Sequence, residues 1–348
     1  MRFYNEQHKY YCGIDLHARK MYLCIMNQEG EILLHKNIQA RPDTFLRAIQ
    51  PYKEDVVICV ECMFTWYWVA DICSDEKISF VLGHALYMKA IHGGKVKNDK
   101  IDSKKIAVLL RGGMLPMAYV YPKRMRATRD LLRPRNNFKR KRAELLTHIQ
   151  NTNTQCNLPR FSKCISHMSN RNGVEDRFED ENVRKNIEVD MILLEHYDKL
   201  IRELEYFLVN NAKQHDAFSF HLLRSVPGIE KIIALIILYE VHDINRFPRM
   251  QDFSSYARLV KPKHESNGKT YGTKNSKIGN AHLKWAFSEA AILFMRESDE
   301  GKKYVAKLEK KHGKGKAISI LAHKIGRAVY YILKRREPFD IDRFFNRK

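Results

Sequence analysis

The stretch YYCGIDLHARKMYLCIMN, residues 10–27, holds two short apolar runs separated by a polar segment. The runs YYCGIDL and KMYLCIMN predict two consecutive β-strands. QEGE then predicts a turn, and ILLHKNI (32–38) predicts a third strand. Strands joined by such short connections pair antiparallel, so this stretch predicts the antiparallel start of a sheet.

The next eighty residues alternate between helical and strand-like patterns. RPDTFLRAIQPY predicts a helix, and DVVICVE (55–61) is the continuous apolar run of a buried central strand. WYWVADICSDE predicts a helix and ISFVL (78–82) another strand. ALYMKAI and KIDSKKIAVLLRGG predict two more helices, the second closed by Gly112 and Gly113. This order predicts an α/β domain over residues 1–122.

The composition changes near residue 123. Ten Lys and Arg but only two acids lie between Lys123 and Gln150. With the amphipathic pattern further on, this predicts a basic helical or coiled-coil-like arm over 123–218. A mainly α C-terminal domain is expected over 219–348. There LLRSVPGIEKIIALIILYEV resembles a helix-hairpin-helix, whose turn would offer N–H groups to phosphate, or is an ordinary helix–turn–helix connection.

The charge of the chain points to a polyanionic partner. Its 62 Lys and Arg against 40 Asp and Glu give a formal net charge of +22, for which nucleic acid is the usual partner. No apolar run is long enough to span a membrane, and MRFYNEQHKYYCGID lacks a signal-peptide core, so we expect a cytoplasmic protein.

CVEC, Cys59 to Cys62, has the spacing of half a zinc site, but no second half follows and core thiols are favoured.

Two carboxylates stand among five lysines in KVKNDKIDSKK, residues 95–105. Asp99 and Asp102 are one helical turn apart, and Asp15 and Glu61 end two predicted strands, so all four acids are predicted to converge. Such a cluster repels itself unless Mg²⁺ or Mn²⁺ is bound, and these ions support phosphodiester chemistry. Alternatively, Asp99 is a helix N-cap and Asp102 a first-turn acid.

The chain resembles the DEDD transposases of the insertion-sequence family numbered one hundred and ten, and the related Piv-like DNA invertases. The resemblance lies in GIDLHARK, CVEC, KNDKIDSKKIA, RDLLRPRNNFKRKRAELLTHIQNTN and the C-terminal LLRSVPGIEKIIALIILYEV…FSSYARLVKPKHESNGK…SKIGNAHLKWAF. It implies a RuvC/ribonuclease H-like N-terminal domain with Asp15, Glu61, Asp99 and Asp102 as the catalytic, metal-binding set. It also implies a structured guide RNA, the bridge RNA, that pairs with donor and target DNA, and a homo-oligomer, dimer or tetramer.

The resemblance further implies a catalytic serine. In the family this residue precedes the glycine of a Gly-Asn pair by thirteen positions, which selects Ser266 before Gly279 rather than Ser276. Asn267 stands where the family has glycine, and asparagine tolerates the left-handed backbone such a turn needs.

Basic side chains near the acids and in the arm are the predicted nucleic-acid contacts, because Arg suits bidentate phosphate binding. They are Lys97, Lys104, Lys105, Arg124, Arg126, Arg129, Arg133, Arg135, Lys139, Arg140, Arg142 and Lys269.

Three alternative functions are consistent with these residues. The first is an RNA-guided transposase or recombinase. The second is a metal-dependent RuvC-like nuclease of the junction-resolvase type, which would need the four acids but not Ser266; a Piv-like site-specific invertase would use the same residues as the transposase. The third is a non-catalytic nucleic-acid-binding protein, against which the presence of all five residues argues.

Overall fold

The computed structural model describes residues 2–91, 98–212, 215–261, 265–270 and 278–346. The chain divides into two compact units, residues 1–123 and 124–348. Each unit has its own hydrophobic core. The predicted arm and the predicted C-terminal domain both lie in the second unit.

The first unit alternates strands and helices in the predicted order. Short strands that the sequence did not predict, β1 and β7, pair with each other. Its elements are β1 (Phe3–Tyr4), β2 (Tyr10–Leu16), β3 (Lys20–Asn27), β4 (Ile32–Gln39), α1 (Pro42–Ile49), β5 (Val56–Glu61), α2 (Tyr67–Asp75), β6 (Ser79–Gly83), α3 (Ala85–Ile91), α4 (Asp99–Arg111) and β7 (Leu115–Pro116).

Five of these strands form one mixed sheet in the order β4-β3-β2-β5-β6. β2, β3 and β4 pair antiparallel, which confirms the predicted antiparallel start. β5 pairs parallel with both β2 and β6, so β2 and β5 end at the same edge of the sheet. The parallel register aligns Gly13 with Cys59 and Ile14 with Val60.

Helices cover both faces of the sheet. Ile14 and Ile58 pack in one cluster with Phe45 of α1 and Val69 of α2. Val57 and Cys59 of β5 pack on the opposite face with Leu109 and other apolar residues of α4. Side chains alternate between the faces of a strand, so Gly13 and Asp15 both lie on the α4 face.

The second unit is mainly helical, as predicted. Short 3₁₀ turns and loops connect α5 to α6. Its elements are α5 (Lys123–Gln155), α6 (Glu181–Ala212), α7 (Ala217–Arg224), α8 (Lys231–Val241), α9 (Met250–Tyr256), β8 (Glu265–Ser266), β9 (Lys269–Thr270), α10 (Ala281–Glu297), α11 (Asp299–His312), α12 (Lys314–Arg335) and α13 (Ile341–Asn346).

α5 and α6 run antiparallel. Arg142 Nε lies 2.5 Å from Asp198 Oδ1, and His148 Nδ1 lies 2.5 Å from Asp190 Oδ2. Residue numbers thus rise along α5 while those of the paired residues fall along α6, as antiparallel helices require. Part-buried ion pairs of this kind fix the register of the two helices.

The Pro-Gly turn between α7 and α8 joins two helices, as the sequence predicts. The backbone N–H of Gly228 donates to Glu297 Oε2 at 2.7 Å, and a Cβ on Gly228 would lie 2.4 Å from the backbone nitrogen of Phe294. A carboxylate and α10 thus occupy the position where a phosphate would approach this N–H. The contacts favour the ordinary connection over a phosphate-binding hairpin at Gly228.

No helix within the described ranges combines the length and apolarity needed to cross a bilayer.

Candidate metal centre and nucleic-acid contacts

Two of the predicted acids stand at the ends of neighbouring strands. Asp15 follows the last paired residues of β2 and β5, and Glu61 is the final residue of β5. The side chain of Asp15 is only 16% exposed. Both acids lie on the sheet face that α4 covers, because they alternate with Ile14 and Val60 of the opposite core.

The other two acids begin α4. The helix cap is Asn98, whose Oδ1 accepts a hydrogen bond from the backbone N–H of Ile101 at 2.8 Å. Asp99 and Asp102 therefore both lie in the first turn, and the interpretation of Asp99 as the N-cap was wrong. Because Asn98 caps the helix, the carboxylate of Asp99 is not needed for that role.

A histidine joins the acids at this point. His17 Nε2 lies 3.6 Å from Asp15 Oδ2 and 3.4 Å from Asp99 Oδ1. One ligand atom from each of these three residues lies within 4.8 Å of the others. We call Asp15, His17 and Asp99 the metal-candidate group. Among the described residues, Glu61 and Asp102 are not members of this group.

Sequence reasoning missed His17. Its signal is its place in the segment DLHARK, two residues after the strand-end acid Asp15. The backbone N–H of His17 donates to the carbonyl of Lys20 at 2.9 Å, which closes the turn into β3 and places the imidazole beside Asp15. A histidine in a tight turn is common, so the spacing alone does not predict a ligand.

The donor set suits a hard divalent cation. Carboxylate oxygens are the preferred protein ligands of Mg²⁺ and Mn²⁺. The side chains of Asp99 and His17 are about half exposed, so a substrate can reach the group. No cysteine belongs to it, and Cys59 is a buried thiol whose pKa is raised by burial. This supports a core-thiol role for Cys59 over a zinc site.

His35 of β4 anchors the start of α4 to the sheet. Its Nε2 lies 2.9 Å from the carbonyl of Lys100 and 3.3 Å from Ser103 Oγ. Burial lowers the pKa of His35, and since a carbonyl oxygen can only accept, the Nε2–H donates to Lys100. The sequence pattern of an exposed edge strand did not point to this contact.

Two arginines that were predicted to contact nucleic acid instead form ion pairs with a buried glutamate of the second unit. Arg129 Nε lies 3.1 Å from Glu240 Oε2, and Arg133 Nε lies 2.9 Å from Glu240 Oε1. Asn280 Nδ2 donates to Glu240 Oε2 at 2.7 Å. Glu240 is only 2% exposed. A buried carboxylate needs such partners, so this network has a structural role.

The remaining predicted contacts divide by exposure. Arg126 is buried, Arg135 pairs with Glu205, and Arg142 pairs with Asp198. Lys105 Nζ lies 3.5 Å from Asp102 Oδ1. Lys97 lies outside the described residues. Exposed cations that remain available to a phosphate backbone are Lys104, Arg124, Lys139, Arg140 and Lys269.

Ser266 lies in a two-strand hairpin. It pairs with Lys269 across the turn residues Asn267 and Gly268, whose φ angles are 48° and 72°. Left-handed backbone at both positions is typical of a type I′ turn, for which Asn-Gly is the preferred sequence. The predicted tolerance of Asn267 for this conformation is confirmed. The side chain of Ser266 lies outside what the structure describes.

Comparison with known proteins finds similarity to transposases. A transposase family model of the DEDD IS110 type matches residues 12–157, and a model described as transposase IS116/IS110/IS902 family matches residues 220–306. The transposase for insertion sequence element IS1111A of Coxiella burnetii (strain RSA 493 / Nine Mile phase I) is 27% identical over 121 residues. That alignment covers 34% of this chain and 33% of the relative. The first match contains the metal-candidate group and the second contains Glu240, Ser266 and Asn280, so two successive parts of the chain are each similar to transposases of the IS110 type.

Proposed function

We propose that this protein is a transposase that cleaves and exchanges DNA strands to move an insertion sequence. The metal-candidate group carries the proposal, because two carboxylates and an imidazole converge where strand β2 and helix α4 meet. We assign the first unit to the RuvC/ribonuclease H-like class. The sheet order β4-β3-β2-β5-β6, with three antiparallel strands first, supports that assignment.

Asp15 and Asp99 would hold a divalent cation, Mg²⁺ or Mn²⁺, with Glu61 and Asp102 completing the set. When bound, such an ion supplies charge stabilisation to a reacting phosphodiester. Asp15 is held by β2 and Asp99 by the capped first turn of α4, so both carboxylates are positioned before substrate arrives. Lys104 is exposed on the same helix and would hold a neighbouring phosphate.

We further propose that Ser266 is the nucleophile. Its oxygen would attack a phosphorus atom, forming a serine–phosphate ester as the bond to one strand end breaks and that end takes up a proton. Attack by the hydroxyl of another strand would then release the serine. This exchange conserves phosphodiester bonds and needs no ATP. The tight Asn267–Gly268 turn supports the proposal, because it holds Ser266 at a fixed place next to the exposed Lys269.

Donor DNA, target DNA and a structured bridge RNA are the proposed partners, with the protein acting as a dimer or tetramer in the cytoplasm. The net charge of +22 and the exposed cations of α5 support polyanion binding. Within the second unit, we propose residues 123–218 as an arm for nucleic-acid backbone contact and 219–348 as the serine-bearing domain.

A trapping assay tests these proposals. The full-length protein is mixed with Mg²⁺, RNA from its native host and labelled DNA spanning the ends of the element, and the mixture is then denatured. We expect a covalent protein–DNA adduct that is lost in Ser266→Ala and in Asp15→Asn. Ser276→Ala, from the same polar segment, is the matched control and should retain the adduct.

Free nicked DNA without an adduct, produced equally by wild type and Ser266→Ala, would overturn the serine role and leave a metal-dependent nuclease. Full adduct formation by Asp15→Asn would overturn the metal role.

A further inference from the structure

A cavity of about 450 Å³ opens among α11, α12 and the C-terminal segment of the second unit. This volume lies within the range of small-ligand pockets. Its walls are aromatic and cationic. Tyr304, Tyr331 and Phe344 supply rings, and Lys324, Arg327 and Arg335 supply positive charges. Of the rings and cations named here, Tyr304 lies within the second family-model match and the α12 and C-terminal residues lie beyond both matches.

The cations line up on one face of α12. Lys324, Arg327, Tyr331 and Arg335 follow one another at intervals of three or four residues, so they share one side of the helix. The adjoining side of α12, which includes Leu321 and Ile325, is buried in the main core of the unit. The rings of Tyr331 and Tyr304 pack against the edge of that core, whereas the charged ends of the cations are not part of it.

Lys324 is held against aromatic faces. Its Nζ lies 4.6 Å from the ring centroid of Tyr304 and 4.9 Å from that of Phe344. Burial, together with the charge of Arg327, lowers the pKa of Lys324. An anion in the cavity would offset this cost, because opposite charge favours the protonated ammonium.

The acids of the cavity have other partners. Glu337 Oε2 lies 3.6 Å from Arg343 Nη1, and Asp340 Oδ1 accepts from the backbone N–H of Arg343 at 3.0 Å. Across the described ranges, no carboxylate forms an ion pair with Lys324, Arg327 or Arg335. The α12 side of the cavity is therefore electropositive and lined by rings.

We propose that this cavity binds one unpaired nucleotide of a single-stranded nucleic acid. The base would stack on Tyr331 or Tyr304, and the flanking phosphates would contact Arg327 and Arg335. Rings and cations together match the base and phosphates of a nucleotide, whereas an acidic peptide would engage the cations alone. A base inside a duplex is unavailable for such stacking, so single strands should bind better than duplex. The inference extends the proposed function by naming a strand-binding site, and it does not depend on metal or on Ser266.

Fluorescence anisotropy tests the proposal. The full-length protein is titrated in EDTA with fluorescein-labelled oligo-dT, oligo-rU and a duplex of the same length. Arg327→Gln combined with Arg335→Gln should weaken single-strand binding about tenfold, and Tyr331→Leu should weaken it by a similar factor. The matched control combines Lys310→Gln with Lys311→Gln, two exposed lysines of α11, and should change affinity less than about twofold. Melting temperatures of all variants verify folding.

Photocrosslinking with a thiothymine-containing oligonucleotide adds a direct readout, since the adduct should map to the peptide of Tyr304 or Tyr331. The DNA and RNA arms distinguish which strand is the ligand. Equal losses in the two double variants would overturn the proposal, since net charge alone would then explain binding. So would a normal affinity in Tyr331→Leu accompanied by displacement of the oligonucleotide by an acidic peptide. Because the titrations are run in EDTA, their outcome does not depend on the metal site, so failure of the metal proposal is distinguishable from failure of this one.

Discussion

Gly13 of β2 lies directly against the backbone of Ser103 in α4. A Cβ atom at residue 13 would come within 2.4 Å of the carbonyl oxygen of Ser103 and of the backbone nitrogen of Ala107. Only glycine permits this approach. The close contact sets the distance between strand and helix, and it lies between Asp15 at one end of β2 and the acids at the start of α4.

Gly13→Ala should therefore displace α4 from the sheet. We expect the free energy of unfolding to fall by about 3 kcal/mol, because backbone atoms cannot relax as a flexible side chain would. Binding of Mn²⁺ should weaken as Asp99 moves from Asp15. Calorimetric melting and Mn²⁺ titration measure the two effects.

Gly315→Ala is the control for that substitution, because a Cβ there meets open space within helix α12. It should leave Mn²⁺ affinity unchanged and should not lower the melting temperature, because alanine is favoured over glycine within a helix. A Gly13→Ala protein with wild-type melting and wild-type Mn²⁺ affinity would show that the contact does not position the helix.

His17→Ala should weaken Mn²⁺ binding by about tenfold. This is the lower end of the loss in affinity expected when a group that supports a metal site is removed. The reason is the contact of its Nε2 with both Asp15 and Asp99. Electron paramagnetic resonance of free Mn²⁺ measures the affinity. His196→Ala, an exposed histidine of α6, is the comparison. Equal affinity in His17→Ala and wild type would remove His17 from the site.

Glu240→Gln should destabilise the second unit by about 3 kcal/mol, because it leaves the part-buried Arg129 and Arg133 without the buried carboxylate they share. Burial raises the pKa of Glu240, but hydrogen bonding from Arg133 and the charges of Arg129 and Arg133 outweigh it, so the pKa is lowered overall. A lowered pKa in the folded state means that this stabilisation is present above the ordinary glutamate value of 4.5 and is lost as pH falls through the folded value.

The gap in melting temperature between wild type and Glu240→Gln should accordingly be wide at neutral pH and narrow in acid. Scanning calorimetry from neutral pH to below the ordinary glutamate pKa measures it. Glu309→Gln removes an exposed carboxylate and should show a small gap at every pH. A gap that widens in acid would contradict the lowered pKa.

Substitutions of Arg140 and Arg129, both in α5, should have different effects: one on nucleic-acid binding and the other on thermal stability. Arg140 is exposed, so Arg140→Gln should leave melting unchanged and reduce the salt dependence of nucleic-acid binding by about one phosphate contact. Arg129→Gln should lower the melting temperature, because it removes a partner of buried Glu240. Binding isotherms at several salt concentrations and thermal melts provide the test. Weakened binding by Arg129→Gln without a change in melting would assign Arg129 to the nucleic-acid surface.

Local sequence patterns were sufficient to predict most of the helices and strands of the fold. The apolar runs of β2, β3 and β5 and the glycines after α4 predicted these elements nearly to the residue, because strand alternation and helix termination depend on neighbouring residues. The left-handed turn at Asn267 and Gly268 was predictable for the same reason.

Packing between distant residues decided the rest. The sequence by itself determined the strand and helix order, the positive charge and the acids that end β2 and β5. Only the tertiary structure brought His17 beside Asp15 and Asp99, turned Arg129 toward Glu240 and closed a cavity around Lys324. Those contacts join residues far apart in the chain or depend on how a turn closes, and strand register and helix packing set them rather than any local repeat.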